Sequence, residues 1–443
     1  MILSGYKLKG LAVAAGLSTL ALLSNPAVAA DFGGDCCADL EERVAVLEAT
    51  TARKGNRKVS LTVSGHVNSA ILFWDDGDDS DTYVVGNAND DLTMFRFEGD
   101  AKINSGWSAG YLIELEVNSA SSGEVNQNDD DGVNELGISE SSMFIQSEQL
   151  GRVTWGFTAQ PSDGAPEQDL SGAVYAGYAA VADVGGGFFW RLNNGALTQS
   201  GTASATLGDV FDDLNGDTFN IIRYDTPTFA GFTLSAAWGE NDLWDVSLTY
   251  ENAWNDWEMA AAIGYTENSD NDDNGPIDHD TLAGSISVLH TPTGLNLTFA
   301  AGERQYNDGT NRPDSDFHYI KAGLFQKFNS LGKTAFYGEY GQYNDMFFLN
   351  GPDGADEQAL VNLLDADANG ACAAGVGCQV RGSEAKVWGF GVVQYIDAAA
   401  MQVYIAYRNH EVDFDVVDIN GNAVASNGIE DFSTVLAGGR IEF

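Results

Sequence analysis

From Val59 to the C-terminal Phe443 the chain repeats one pattern: short segments in which alternate residues are large and apolar, punctuated by turns about every ten to twenty-five residues. Phe95, Phe97, Ala101 and Ile103 oppose Arg96, Glu98, Asp100 and Lys102; Tyr111, Ile113, Leu115 and Val117 oppose Glu114 and Glu116; Val153, Trp155 and Phe157 oppose Arg152, Thr154 and Thr158. Later segments behave alike, with Leu295, Leu297 and Phe299 against Asn296, Thr298 and Arg304, and Met401, Val403, Ile405 and Tyr407 against Gln402, Tyr404 and Arg408. A period of two is that of a β-strand. Apolar residues on one face and charged residues on the other describe a wall between lipid and water. Parity is an energetic constraint, because a base facing lipid at mid-depth costs roughly 2 to 4 kcal/mol. It points Arg96, Lys102, Arg152, Arg223, Arg304, Lys321, Arg408 and Arg440 inward, together with His66 and Asn68. Lys386 shares parity with Trp388 and Phe390 and breaks the rule, unless its stem snorkels from a strand end.

Connections alternate between short and long. Short links fall at 104–106, 148–151, 226–231, 253–255, 291–293, 329–332 and 397–400, with long acidic, glycine-rich loops between them. Seven short turns and eight long loops predict sixteen strands in an all-β, antiparallel transmembrane barrel over 59–443, wide enough to hold water. The third loop, about 161–217, is far longer than a hairpin requires. It carries Asp163, Glu167, Asp169, Asp183, Asp209, Asp212, Asp213 and Asp217 against a single base, Arg191. Within it Gly185–Trp190 and Ala203–Leu207 also read as extended, which would raise the count to eighteen.

Residues 1–30 have a basic start (Lys7, Lys9), an apolar stretch from Leu11 to Leu23 and an Ala-Val-Ala-Ala end, the features of a secretory signal peptide. No later stretch approaches the about 18 apolar residues of a spanning helix. Residues 31–58 form a short leader in which Leu40, Val44, Leu47 and Thr51 make a brief heptad seam, read either as a subunit zipper or as a frayed amphipathic segment. The formal charge of −44 becomes −46 once the two signal lysines are removed, which excludes nucleic acid as a partner. Acids gather in solvated loop tips such as Asp75–Asp81, Asp129–Asp131 and Asp270–Asp273. A sharper reading has divalent cations bridging them to anionic headgroups; otherwise no cofactor is expected. Asp365–Gly370 starts like a calcium loop but has Val376 where a bidentate Glu belongs. Cys372 and Cys378 flank a short glycine-rich stretch and are candidates for a local disulfide, while Cys36 and Cys37 are adjacent. No catalytic set emerges: Gly106-Trp107-Ser108-Ala109-Gly110 spells a nucleophile elbow but opens a strand after a hairpin turn, and the five histidines are scattered.

The ordered set of signal peptide, heptad leader, opening strand Lys58–Gly65, long third loop and terminal Phe443 resembles the alphaproteobacterial general porins over essentially the whole mature chain. That resemblance implies a homotrimer of water-filled barrels in the bacterial outer membrane, among lipid and lipopolysaccharide, with loop three folded inward as a constriction. It also implies that Phe443 forms part of the signal read by the outer-membrane assembly machinery. The eight inward bases would then face the acids of loop three across the channel and set up a transverse field, or pair with Glu98, Asp100, Glu114 and Glu116 and only hold the polar face together. Passive diffusion of small hydrophilic solutes and ions is the leading reading. A substrate-selective or gated channel, and an acidic calcium-binding surface β-protein, are the alternatives.

Overall fold

The computed structural model describes residues 58–89, 92–240, 242–269, 278–307, 312–349, 355–364, 378–418, 421–424 and 427–443. The signal peptide, nearly all of the leader, Cys36, Cys37, Cys372, the acidic tip at 270–273 and the calcium-like stretch at 365–370 lie outside the described residues. Sixteen antiparallel strands form one closed barrel. They are β1 (Thr62–Asp75), β2 (Ser80–Gly86, resuming as Thr93–Asn104), β3 (Trp107–Ser119), β4 (Asn134–Ser147), β5 (Gly151–Ala159), β6 (Thr218–Asp225), β7 (Phe232–Gly239) and β8 (Trp244–Trp254). The second half comprises β9 (Trp257–Asn268), β10 (His279–His290), β11 (Leu295–Tyr306), β12 (Ser315–Gln326), β13 (Thr334–Asn344), β14 (Cys378–Ile396), β15 (Met401–Asp418) and β16 (Phe432–Glu442). Among the described residues one α-helix, α1 (Ala355–Leu364), sits in the loop between β13 and β14.

The ring closes where β1 pairs with β16, from His66 opposite Glu442 to Asp75 opposite Ser433. Phe443 completes the seam: its N–H donates to the Gly65 carbonyl at 3.0 Å, and the Gly65 N–H returns a bond to the Phe443 carbonyl at 3.1 Å. Closure leaves no ladder edge open, which is what a sheet immersed in hydrocarbon requires.

Face parity follows the alternation. Phe299, Leu297, Ile263 and Ile405 are exposed on the outer wall, whereas Arg408, Arg440, Lys321 and Glu114 are buried on the inner one. Aromatic pairs ring the apolar band, with Trp238, Trp244 and Tyr265 near the loop end and Trp254, Trp257 and Phe328 near the turn end. Lys386 stands on the outer face one step beyond Trp388 and pairs with Glu384, in a rank with Glu411 and Asp413. Strands β14 and β15 therefore overshoot the apolar band, and Lys386 lies above it. Two of the eight outer loops contradict the expectation of length: β1–β2 and β7–β8 are joined by four residues each, Asp76–Asp79 and Glu240–Leu243.

The largest apolar core lies inside the barrel. Loop three contributes Ala173 to Val184, Phe188, Trp190, Leu207, Val210, Phe211 and Leu214, packed against Leu72, Trp74, Tyr83, Val85, Phe317, Tyr343 and Phe432 of the wall. Phe188 sits 5.2 Å from Trp74 and 5.1 Å from Phe432 between ring centroids, and Phe211 sits 5.2 Å from Tyr343. Gly185–Trp190 and Ala203–Leu207 are thus not two further barrel strands. They meet through the Phe189–Thr206 bridge within the lumen, beside a two-residue hairpin, Gln199–Ser200 with Ala203–Ser204. The break in β2 has the same origin: Asn87 turns in to donate to the Tyr175 carbonyl (2.8 Å), and Ser122 of the second loop receives the Ala88 N–H (2.9 Å).

A Cβ at Gly65 would lie 2.3 Å from the Met94 carbonyl oxygen and 3.0 Å from the Phe443 ring. Gly65→Val is expected to cost about 1 to 3 kcal/mol by overpacking, read as a lower temperature of the gel-mobility shift of the folded barrel; an unshifted transition would show that the seam is not tightly packed.

Candidate functional site: the lumen and its constriction

Loop three, residues 160–217 between β5 and β6, has little regular structure of its own, so its backbone polar groups need partners elsewhere. The inner wall supplies them. Ser285 and Ser287 accept the N–H groups of Gln168 and Leu170, both at 2.9 Å. Tyr395 donates to the Gly172 carbonyl (2.9 Å), Lys321 to Gly177 (2.7 Å), Arg408 to Tyr178 (2.8 Å) and Tyr343 to Ala179 (2.7 Å). At its root, Asp245 accepts both the N–H (2.9 Å) and the hydroxyl (2.5 Å) of Ser162.

The eight inward bases therefore separate into three groups. Arg304 pairs with Asp212 (2.9 Å), Lys321 pairs with Asp169, and Arg408 grips Glu339 through two bonds of 2.7 and 3.1 Å while reaching the loop backbone. Arg440 pairs with Glu442, meets His66 Nδ1 at 3.0 Å and lies 4.3 Å from the Tyr175 ring. Lys321, Arg408 and Arg440 are at most 2% exposed; expected to border water, they are instead covered by loop three and hold it. Arg96, Arg152 and Arg223 form the second group, around open space. Arg96 bonds Glu98 (3.4 Å) and Glu114 (3.3 Å). Arg152 lies 3.8 Å over the Phe144 ring and donates to Thr154 (3.0 Å), and Arg223 bonds Asp225 (2.9 Å) and the Ala159 carbonyl (3.0 Å). Lys102 is alone in the third, exposed at the turn end and away from loop three.

The loop-three acids divide as well. Asp169 and Asp212 meet wall bases. Asp209 accepts from Thr206, Asp217 from the Thr218 N–H and Asp183 from the Tyr178 hydroxyl, so these three fold the loop locally. Asp163 accepts from Asn215 at 3.0 Å, and burial raises its carboxyl well above the ordinary value. Asp213 lies against Glu167, and burial with Asp212 alongside pushes it up to about 7.

Below loop three, toward the turn end, the lumen opens into a cavity of about 1030 Å³ bordered by Arg96, Glu114, Arg152, Asp163, Arg223 and Asp225. The Phe443 ring lies at its rim, 5.8 Å from Phe95. On the opposite side, Cys378 is fully buried and disulfide-bonded, and the Asn427 N–H donates to the Leu364 carbonyl, closing the C-terminal end of α1 (2.7 Å). Among the described residues no three His, Cys, Asp or Glu side chains are grouped to hold a metal.

Sequence reasoning passed over Tyr343, Tyr395, Asn87, Ser285, Ser287 and Glu339, the wall groups that position the constriction. The missed signal is the unbroken apolar run Ala70-Ile71-Leu72-Phe73-Trp74, where a wall facing water would alternate. Burial of Asp213 beside Asp212 makes the packing of loop three pH-dependent. An acid whose pKa is raised by folding stabilises the packed loop fully below its ordinary value of 3.8, and that support is lost as pH rises through about 7. Amide-exchange protection of 205–217, corrected for intrinsic exchange, is expected to fall over that interval and to flatten in Asp213→Asn; the same profile in both proteins would remove Asp213 as its cause.

Comparisons with known proteins agree with this geometry. No curated protein matches the chain. Among solved structures, an anion-selective porin from Comamonas acidovorans superposes with a TM-score of 0.51 at 15% identity, over 87% of this chain and 100% of that one. In-vitro folded OmpT, an outer-membrane protein of Vibrio cholerae, gives 0.50 at 12% identity over 88% and 99%; its trimer form gives 0.50 at 12% over 87% and 99%. At these identities the likeness is one of fold. The sequence profile of the Gram-negative porins matches residues 12–415, and the chain, a closed sixteen-strand barrel, belongs to that family of outer-membrane channels.

Proposed function

We propose that small hydrophilic solutes and ions cross this barrel by passive diffusion, limited in size by loop three, and that no catalytic step is involved. The observation that carries the reading is the packed third loop inside a closed barrel, with a polar cavity of about 1030 Å³ beneath it. Arg96, Arg152 and Arg223 act on the permeating solute, whereas Arg304, Lys321, Arg408 and Arg440 act on loop three. Assembly as a homotrimer among lipid and lipopolysaccharide is part of the proposal, supported by the trimer form of a fold neighbour. The exposed C-terminal Phe443 suits a role as an assembly signal, and Cys372 is the expected partner of Cys378.

Folded, detergent-purified protein is expected to give stepwise conductance in planar bilayers, and a protein that inserts without conducting would remove the channel reading. Shortening loop three within Ala173–Trp190 is expected to raise the single-channel conductance; an unchanged value would place the constriction elsewhere. Arg152→Glu is expected to shift the zero-current potential toward cations, and no shift would take Arg152 out of the permeation path.

A further inference from the structure

The cavity beneath loop three is lined by seven carboxylates, Glu98, Glu114, Glu140, Glu148, Asp163, Asp225 and Glu442, and by three guanidinium groups, Arg96, Arg152 and Arg223. Fold alone does not set selectivity, since the Comamonas neighbour that shares the barrel is described as anion-selective. The balance of charge at the water-facing wall does.

Two of the three bases are engaged directly by carboxylates: Arg96 by Glu98 and Glu114, and Arg223 by Asp225. The third, Arg152, spreads its guanidinium over Phe144 and directs its Nε to Thr154. Glu442 has its own base, Arg440, but that base is wholly buried behind it while Glu442 is 40% exposed. Glu98 is exposed on β2, and Glu148 is exposed in the β4–β5 turn at the mouth of the cavity. If Asp163 and Glu140 are counted as neutral, because both are buried, and Arg440 is credited to the cavity, five carboxylates still face four bases. The wall bases that would redress the balance, Lys321 and Arg408, are sealed under loop three with Asp169 and Glu339.

We infer that this vestibule is cation-selective, with Glu98 and Glu148 as specificity-determining residues. The favoured permeants are inorganic monovalent cations and small amines over anions of equal size. A lumen lined by an excess of one sign, with a low-dielectric wall behind it, concentrates the opposite counter-ion. The inference rests on the channel reading above and adds the sign of the ion to it.

The test is the zero-current potential of the wild-type channel across a KCl gradient, measured near 0.1 M and again near 1 M salt. A permeability ratio of potassium to chloride above one is expected, falling toward one at the higher concentration, because the screening length shortens from about 10 Å to about 3 Å. Glu98→Gln/Glu148→Gln is expected to lower the 0.1 M ratio by at least about twofold, within the roughly tenfold or more by which such fields concentrate counter-ions; its folding is checked by the gel-mobility shift. A conducting wild-type channel with a ratio at or below one would overturn the selectivity and leave the channel reading intact. A folded wild-type protein that does not conduct would overturn both. A ratio above one that survives unchanged in a folded double variant would overturn the assignment of Glu98 and Glu148.

Discussion

A strand buried in hydrocarbon must place both of its edges in hydrogen bonds, and that requirement governs everything else in this molecule. It is met when β1 joins β16 and Phe443 exchanges two backbone bonds with Gly65. The glycine is dictated by the seam, because a side chain there would meet the Met94 carbonyl and the terminal ring. Once the ring is closed, its period-two alternation divides every strand into a lipid face and a lumen face. The lumen of sixteen strands is too wide for wall side chains to fill. A segment of chain must enter it or water must fill it, and here each occupies part of the space.

Loop three enters as a small apolar core rather than as an acidic fringe. Its residues 173–190 pack on Leu72, Trp74 and Phe432, so part of the inner wall behaves like the interior of a soluble protein. In a barrel otherwise polar inside, this divides the wall into two territories. One is dry and addresses the loop; the other, at the turn end from β16 and β1 round to β9, is wet and addresses the solute. Permeation properties belong to the second territory, and mutations in the first act on it only through loop position.

The barrel itself was legible in the sequence because alternation is local and costly to violate: Phe299 and Arg408 face as their parity requires, and the spacing of turns sets the strand number. The extent of loop three and its acids were also legible. What could not be read was depth. Parity places Arg96 and Arg408 on the same face, yet one borders a cavity and the other is sealed beneath Tyr178 and Val181. That difference is decided by contacts more than two hundred residues apart in the chain. Attention to charge in loop three also hid its apolar content, although Ala173–Leu192 and the run Ala70–Trp74 are plain in composition. Continuous apolar runs in a barrel strand mark where the lumen is filled.

The buried pairs Arg408–Glu339 and Lys321–Asp169 need an explanation, since removing such charges from water is costly and a hydrophobic pair of similar volume is often no less stable. The explanation lies in the loop backbone. A segment of 58 residues with almost no regular structure exposes carbonyls that no ladder satisfies. Water reaches them poorly under so much apolar packing. Arg408 donates to Tyr178 and Val181 while held by Glu339, and Lys321 donates to Gly177 while held by Asp169. Each base is thus neutralised by an acid and aimed at a carbonyl, which an aliphatic replacement cannot imitate. The polar inner face that alternation imposes on every strand is reused as a solvent for the loop. It fixes the constriction in one register, and only the residues not spent on that task remain for the passing ion.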